Sequence, residues 1–195
     1  MKNTLILLTL LLPILCFSQR KEDINPFRLG VKAGVPVGIG VEFEYVTPLL
    51  GNRIAPFISY GMLPYDDLDF NYFEVGSNIY FGGRGKGGYV SASYGKFNGE
   101  VSNLENTNID GEDFTNGVAK EELASFNVKL GWKYGKTLYF KWELGYAIGE
   151  LPTEIEVTGD INGVRETFQV STEDVLEYVS GKGYPILNIG IGYAF

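Results

Sequence analysis

The chain contains no histidine and a single cysteine, Cys16, among 195 residues. That excludes Ser-His and Cys-His nucleophile pairs, an internal disulfide, and zinc or haem ligated by His or Cys. Methionine and tryptophan are scarce, at two residues each. Beyond the first residues no apolar run approaches the roughly 18 residues of a membrane-spanning helix. The formal net charge is −8 and no exposed basic run stands out, which argues against nucleic acid as a partner. What is plentiful is glycine, with 26 residues, and Tyr and Phe, with 13 each. Glycine with aromatics favours strands and turns over helices.

Residues 1–18 read as a secretory signal peptide. Lys2 gives a positive start, Leu5 to Leu15 is apolar but for Thr9 and Pro13, and Cys16-Phe17-Ser18 places small residues where a signal peptidase needs them. That core is too short for a permanent membrane helix. Lipidation at Cys16 is not expected, because a lipoprotein box needs Gly, Ala or Ser before the cysteine and Leu15 stands there. Residues 19–195 are left as a single domain without cysteine.

Within that domain, segments of about nine to twelve residues alternate in polarity with period two, the signature of strands with unlike faces. From Leu138 to Ile148, Leu138, Phe140, Trp142, Leu144, Tyr146 and Ile148 oppose Tyr139, Lys141, Glu143, Gly145 and Ala147. Phe126 to Tyr134 does the same, and Gly135-Lys136 between them makes a tight hairpin turn. Leu187 to Phe195, Leu29 to Ala33, Ile39 to Tyr45 and Phe73 to Phe81 follow the pattern. Ile54 to Met62, interrupted by Pro56, and Tyr89 to Lys96, rich in small residues, bring the expected number to eight.

Alternation alone does not say which face is inside. A soluble barrel turns its apolar face inward, whereas a membrane barrel turns it to lipid. The connections discriminate. Thr47 to Asn52, Gly82 to Gly88 and Gly135-Lys136 are short; Leu63 to Asn71, Phe97 to Glu122 and Gly149 to Tyr184 are long, with only Val35 to Gly38 brief in the second set. Short turns at one rim and long connections at the other are the outer-membrane pattern. Acidic residues gather in the long set: Asp66, Asp67 and Asp69 in the first, seven acids against Lys120 in the second, and eight against Arg165 and Lys182 in the third.

These acids suggest solvated loops, with divalent-cation binding as the sharper alternative. Asn106, Asn108, Asp110 and Gly111 match the opening of an EF-hand loop, but Gly117 stands where its bidentate Glu belongs, so no specific metal site is expected. Asp66, Asp67 and Asp69 are the only tight acidic cluster and read as a solvated turn; no catalytic residue and no cofactor is assigned. In the third connection, Glu154 to Val157 and Val164 to Val170 flank Asn162-Gly163, which predicts an external hairpin, or else two further barrel strands. Ser171 to Val179 reads as a short helix.

The C-terminus reads Asn188-Ile189-Gly190-Ile191-Gly192-Tyr193-Ala194-Phe195. This resembles the terminal strand by which the assembly machinery recognises outer-membrane barrels, and by that resemblance Asn188, Gly190, Tyr193 and Phe195 are the recognition positions. With the signal peptide, eight strands and sorted connections, the domain is similar to the broad outer-membrane β-barrel family, in particular small barrels of the OmpA/OmpX type. The resemblance implies an all-β, eight-stranded antiparallel transmembrane barrel with long acidic extracellular loops, located in the outer membrane among lipid and lipopolysaccharide. Small barrel enzymes of that membrane rely on a histidine, so a non-enzymatic role is expected.

In this register Arg28, Lys32, Lys129, Lys133 and Lys141 share the inward face with Glu42, Glu44, Glu74 and Glu143. Unpaired charge inside so narrow a barrel is unfavourable, so these nine side chains are expected to pair and plug the lumen. Three functions remain: a structural or interaction barrel whose loops contact a protein partner or lipopolysaccharide, which the residues favour; a narrow, porin-like transport or ligand-binding barrel; and a soluble periplasmic ligand-binding barrel.

Overall fold

A strand with one apolar and one polar face leaves both edges of its backbone unpaired, and a closed barrel is the arrangement that pairs them all. The computed structural model of the chain describes residues 24–65, 68–104, 107–109, 112–149, 154–161, 164–171 and 183–195. The expected signal peptide, Asp66 and Asp67, Asn106, Asp110 and Gly111 of the EF-hand-like segment, and all but Ser171 of the expected helix lie outside the described residues.

The described residues form eleven strands: β1 (Phe27–Val35), β2 (Gly38–Tyr45), β3 (Ile54–Tyr65), β4 (Leu68–Tyr80), β5 (Gly87–Leu104), β6 (Thr107–Ile109), β7 (Glu112–Gly135), β8 (Leu138–Ile148), β9 (Glu154–Ile161), β10 (Val164–Ser171) and β11 (Gly183–Ala194). Eight of them, β1, β2, β3, β4, β5, β7, β8 and β11, form a closed antiparallel barrel, each paired with the next in that order. The ring closes where β1 pairs β11 from Arg28↔Ala194 to Val35↔Leu187. Two backbone hydrogen bonds extend the seam: Phe27 N–H donates to the Phe195 carbonyl at 3.1 Å, and Phe195 N–H to the Phe27 carbonyl at 2.9 Å.

The eight strands expected from alternation are all barrel strands. The hairpin of β9 and β10 is not, because β8 pairs directly with β7 on one edge and β11 on the other. β9 instead pairs the first part of β7, from Phe114↔Ile161 to Lys120↔Glu156. The connections differ from the sequence expectation. Much of the segments read as loops at Leu63 to Asn71 and Phe97 to Glu122 is strand: β3 and β4 stay paired up to Tyr65↔Leu68, and β5 and β7 up to Val101↔Ala119 and, past an irregularity, Leu104↔Gly117. Outward positions of these extensions, such as Lys96, Glu100, Lys120 and Glu122, are polar, so they lack the apolar-out alternation that marks a membrane strand.

The barrel therefore has unequal ends. At the turn end, β2 to β3, β4 to β5 and β7 to β8 are joined by short connections, and β1 begins where β11 finishes. In the connection between β4 and β5, Gly85 has φ +57 and any Cβ would meet the Arg28 guanidinium, so only glycine suits it. At the opposite end, β5, β6, β7, β9 and β10 rise as a wing on one side. The β1–β2 connection on the other side stays low, since β1 stops at Val35 and β2 starts at Gly38.

The two faces of the wall are inverted relative to a soluble protein. Leu138, Phe140, Leu144, Tyr146 and Ile148 of β8 point outward and are exposed, as are Val31, Val35, Ile39, Val75, Leu130, Leu187 and Ile191. β8 has 11 residues; at about 3.3 Å per residue and a tilt of about 40°, such a strand covers roughly 25 Å, the height of a hydrocarbon band. The band ends in aromatics at the turn end, where Phe27 stacks on Tyr45 at 5.1 Å and on Phe195 at 6.1 Å between centroids.

Candidate functional site

The inward positions of the strands carry mostly small, polar or charged residues, with Phe57 and Ile186 as buried apolar exceptions. All nine charged side chains expected there are at most 4% exposed. They fall into two groups. In the first, Lys32 Nζ lies 3.3 Å from Glu42 and 3.0 Å from Glu74, and Lys129 Nζ lies 2.5 Å from Glu74 and 3.9 Å from Glu143. Lys141 Nζ is 3.3 Å from Glu143 and 2.6 Å from Glu42. Followed from residue to residue, Lys32, Glu42, Lys141, Glu143, Lys129 and Glu74 make a closed, electrically neutral circuit of alternating sign.

The second group lies nearer the turn end and carries one excess positive charge. Glu44 accepts from both Arg28 and Lys133 at 2.7 Å, and from Asn78 Nδ2 at 2.5 Å and the Tyr80 hydroxyl at 3.0 Å. Arg28 also donates to the carbonyls of Gly85 and Arg84, tying the β4–β5 connection across the barrel mouth. The Lys133 ammonium sits over the Tyr139 ring, 4.7 Å from its centroid, with Tyr80 at 5.6 Å and Tyr89 at 5.9 Å. Aromatic faces offset a buried positive charge in the absence of water.

Sequence reasoning did not single out these tyrosines. Tyr72, Tyr80 and Tyr89 are buried inside the barrel, and Tyr89 donates to Glu143 at 2.9 Å. The available signal was their position on the polar parity of their strands. Space for them comes from inward glycines: a side chain at Gly131 would run into the Tyr89 ring. Toward the wing end, Asn127 Nδ2 donates to the Tyr72 hydroxyl at 2.7 Å and to Glu74 at 3.3 Å. Ser125 donates to Asn127 at 2.9 Å and lies 3.2 Å from the Tyr184 hydroxyl. A continuous polar network thus runs from the circuit to Tyr184.

The four C-terminal positions divide between the faces. Asn188 is buried inside and donates to Glu143 at 3.1 Å. Gly190 lies opposite Lys141, whereas Tyr193 and Phe195 are exposed on the outer band. On the outer face of the wing, Lys96 pairs with Glu122 at 2.8 Å and Lys120 with Glu100 at 2.9 Å, both between exposed side chains and so of small energetic weight. The Glu121 carboxyl is held above its ordinary value, first by partial burial and then by the neighbouring Glu156 and Glu122 carboxylates. Among the described residues no three acidic side chains are grouped to hold a metal ion.

Polar side chains inside, an apolar band outside and eight strands define an outer-membrane-type β-barrel fold. Solved structures agree. The N-terminal β-barrel domain of Pseudomonas aeruginosa OprF superposes with a TM-score of 0.51 at 18% identity, over 88% of this chain and 98% of that one. A major outer membrane protein from Thermus thermophilus gives a TM-score of 0.52 at 13% identity, over 87% of this chain and 99% of the other. No protein-family model and no curated protein matches the sequence.

Proposed function

We propose that this is an exported, non-enzymatic barrel of the OmpA/OmpX type, resident in the outer membrane, whose lumen is sealed and whose wing carries its interactions. The observation that carries this reading is the circuit of three lysines and three glutamates across the barrel interior. Opening a conduit requires these side chains to part, and each ion left unpaired away from water is penalised by several kcal/mol, as a rough scale. With the interior occupied, the surface free to meet a partner is the wing, which rises on the side of the long connections.

In this reading the turn end faces the periplasm and the wing the exterior. The outer band meets membrane lipid, the wing meets lipopolysaccharide or a protein partner, and the last strand is read by the barrel-assembly machinery through Asn188, Gly190, Tyr193 and Phe195. The test combines envelope fractionation, gel mobility with and without boiling, and planar-bilayer recording. Outer-membrane location, a heat-shifted band and no conductance are expected. Steady conductance altered by Glu42→Gln or Lys141→Met would replace this reading with transport, and extraction without detergent would remove the membrane altogether.

A further inference from the structure

Above the polar network, the wing end holds a cavity of about 550 Å3. Phe70, Phe97 and Leu123 line it on the wing side, and Val35, Pro36 and Pro185 on the low side, with Tyr184 also at its wall. No charged side chain lines it among the described residues. Its volume falls within the range of about 300–1,000 Å3 typical of small-molecule sites. Phe70, Phe97 and Leu123 stand on the inward parity of β4, β5 and β7, two residues along each strand from Tyr72, Gly95 and Ser125. The cavity thus begins where the hydrogen-bonded filling stops.

Its low side decides what reaches it. Val35 is 57% exposed on the outer face, beside Ile39 at 63% and Leu187 at 57%, so the apolar band climbs to the rim at this point. On the opposite side the band stops lower relative to the wall: above Tyr94 and Phe126, the outward positions of β5 and β7 carry Lys96 and Glu122, which pair with each other. Among the described residues, the path from the band over Val35 and Pro185 into the cavity meets no charged side chain, so a nonpolar chain lying in the band can follow it. Among the described residues that line the cavity, Tyr184 alone carries a side-chain hydrogen-bonding group.

We infer that the cavity takes the acyl chain of a membrane lipid, admitted over the low rim between β1, β2 and β11. The inference rests on the lipid-embedded reading of the band. Its occupancy needs no passage through the lumen, which the side-chain network closes below Tyr184.

The test uses the full chain in phosphatidylcholine vesicles containing a phosphatidylcholine with a photoreactive diazirine on one acyl chain, followed by peptide mapping. Adducts are expected on Phe97 or Leu123 as well as on band residues such as Leu138 and Phe140. Leu123→Gln and Phe97→Gln should each lower cavity labelling about tenfold, the factor a modest loss of apolar affinity produces, with the band labelled as before and the heat shift intact; Leu123→Ile should keep it. Band labelling without cavity labelling in the folded wild type overturns the inference. Cavity labelling that emerges only after deletion of residues 172–182 also overturns it, giving the site to the chain itself. Absence of band labelling instead refutes the membrane reading beneath it.

Discussion

At the scale of the residue, the interior is governed by the need to match each buried charge. Glu74 illustrates it: its two oxygens receive Lys32, Lys129, Asn127 and the Ser93 hydroxyl. Glu74→Gln keeps the shape but leaves two ammonium groups short of negative charge. A loss of about 3–5 kcal/mol is expected, the range for breaking a buried pair, read as a lower urea midpoint in vesicles. Adding Lys129→Met should recover part of it. An unchanged midpoint for the single variant would mean that water reaches the circuit. The positions of Lys32, Glu74 and their partners were legible in the sequence because strand parity fixes which way a side chain points. Which lysine meets which glutamate was not, since pairing depends on stagger between strands far apart in the chain, as with Lys141 and Glu42.

At the scale of the element, the eight barrel strands were legible because an apolar outer face and a narrow polar interior force strict alternation, seen most cleanly from Leu138 to Ile148. The wing was illegible for the converse reason. Asn98, Glu100, Lys120 and Glu122 belong to strands, yet no apolar outer face distinguishes them from a loop. The wing and wall are also separable. Replacing residues 150–182 by a short turn should leave the heat-shifted band intact, because the Gly183↔Ile148 register joins β8 and β11 without help from β9 or β10. Loss of the shift would make the hairpin part of the folding unit. The β7–β9 contact should respond to acid. Since Glu121 holds its proton more tightly in the folded wing than its ordinary value of 4.5 allows, the fold gains stability as pH falls and loses it as pH rises through the folded value. Amide-exchange protection in β9 should be greater near the acid end of that window than at neutral pH, and Glu121→Gln should abolish the difference. Equal protection at both would place Glu121 in full solvent.

At the scale of the whole molecule, the two rims differ: at one, Arg28 holds the β4–β5 connection, and the other is built out on a single side. The seam between β1 and β11 carries a further consequence. Phe27 and Phe195 are hydrogen-bonded neighbours, so residues 27 and 195 lie at one point of the wall. Joining these ends through a short linker, and cutting at residues 110–111 between β6 and β7, yields a permuted chain with the same barrel and no terminal phenylalanine. Such a permutant should refold in detergent with its characteristic mobility while failing to insert in cells. That outcome would support the proposed role of Phe195 as an assembly signal, apart from its place in the seam.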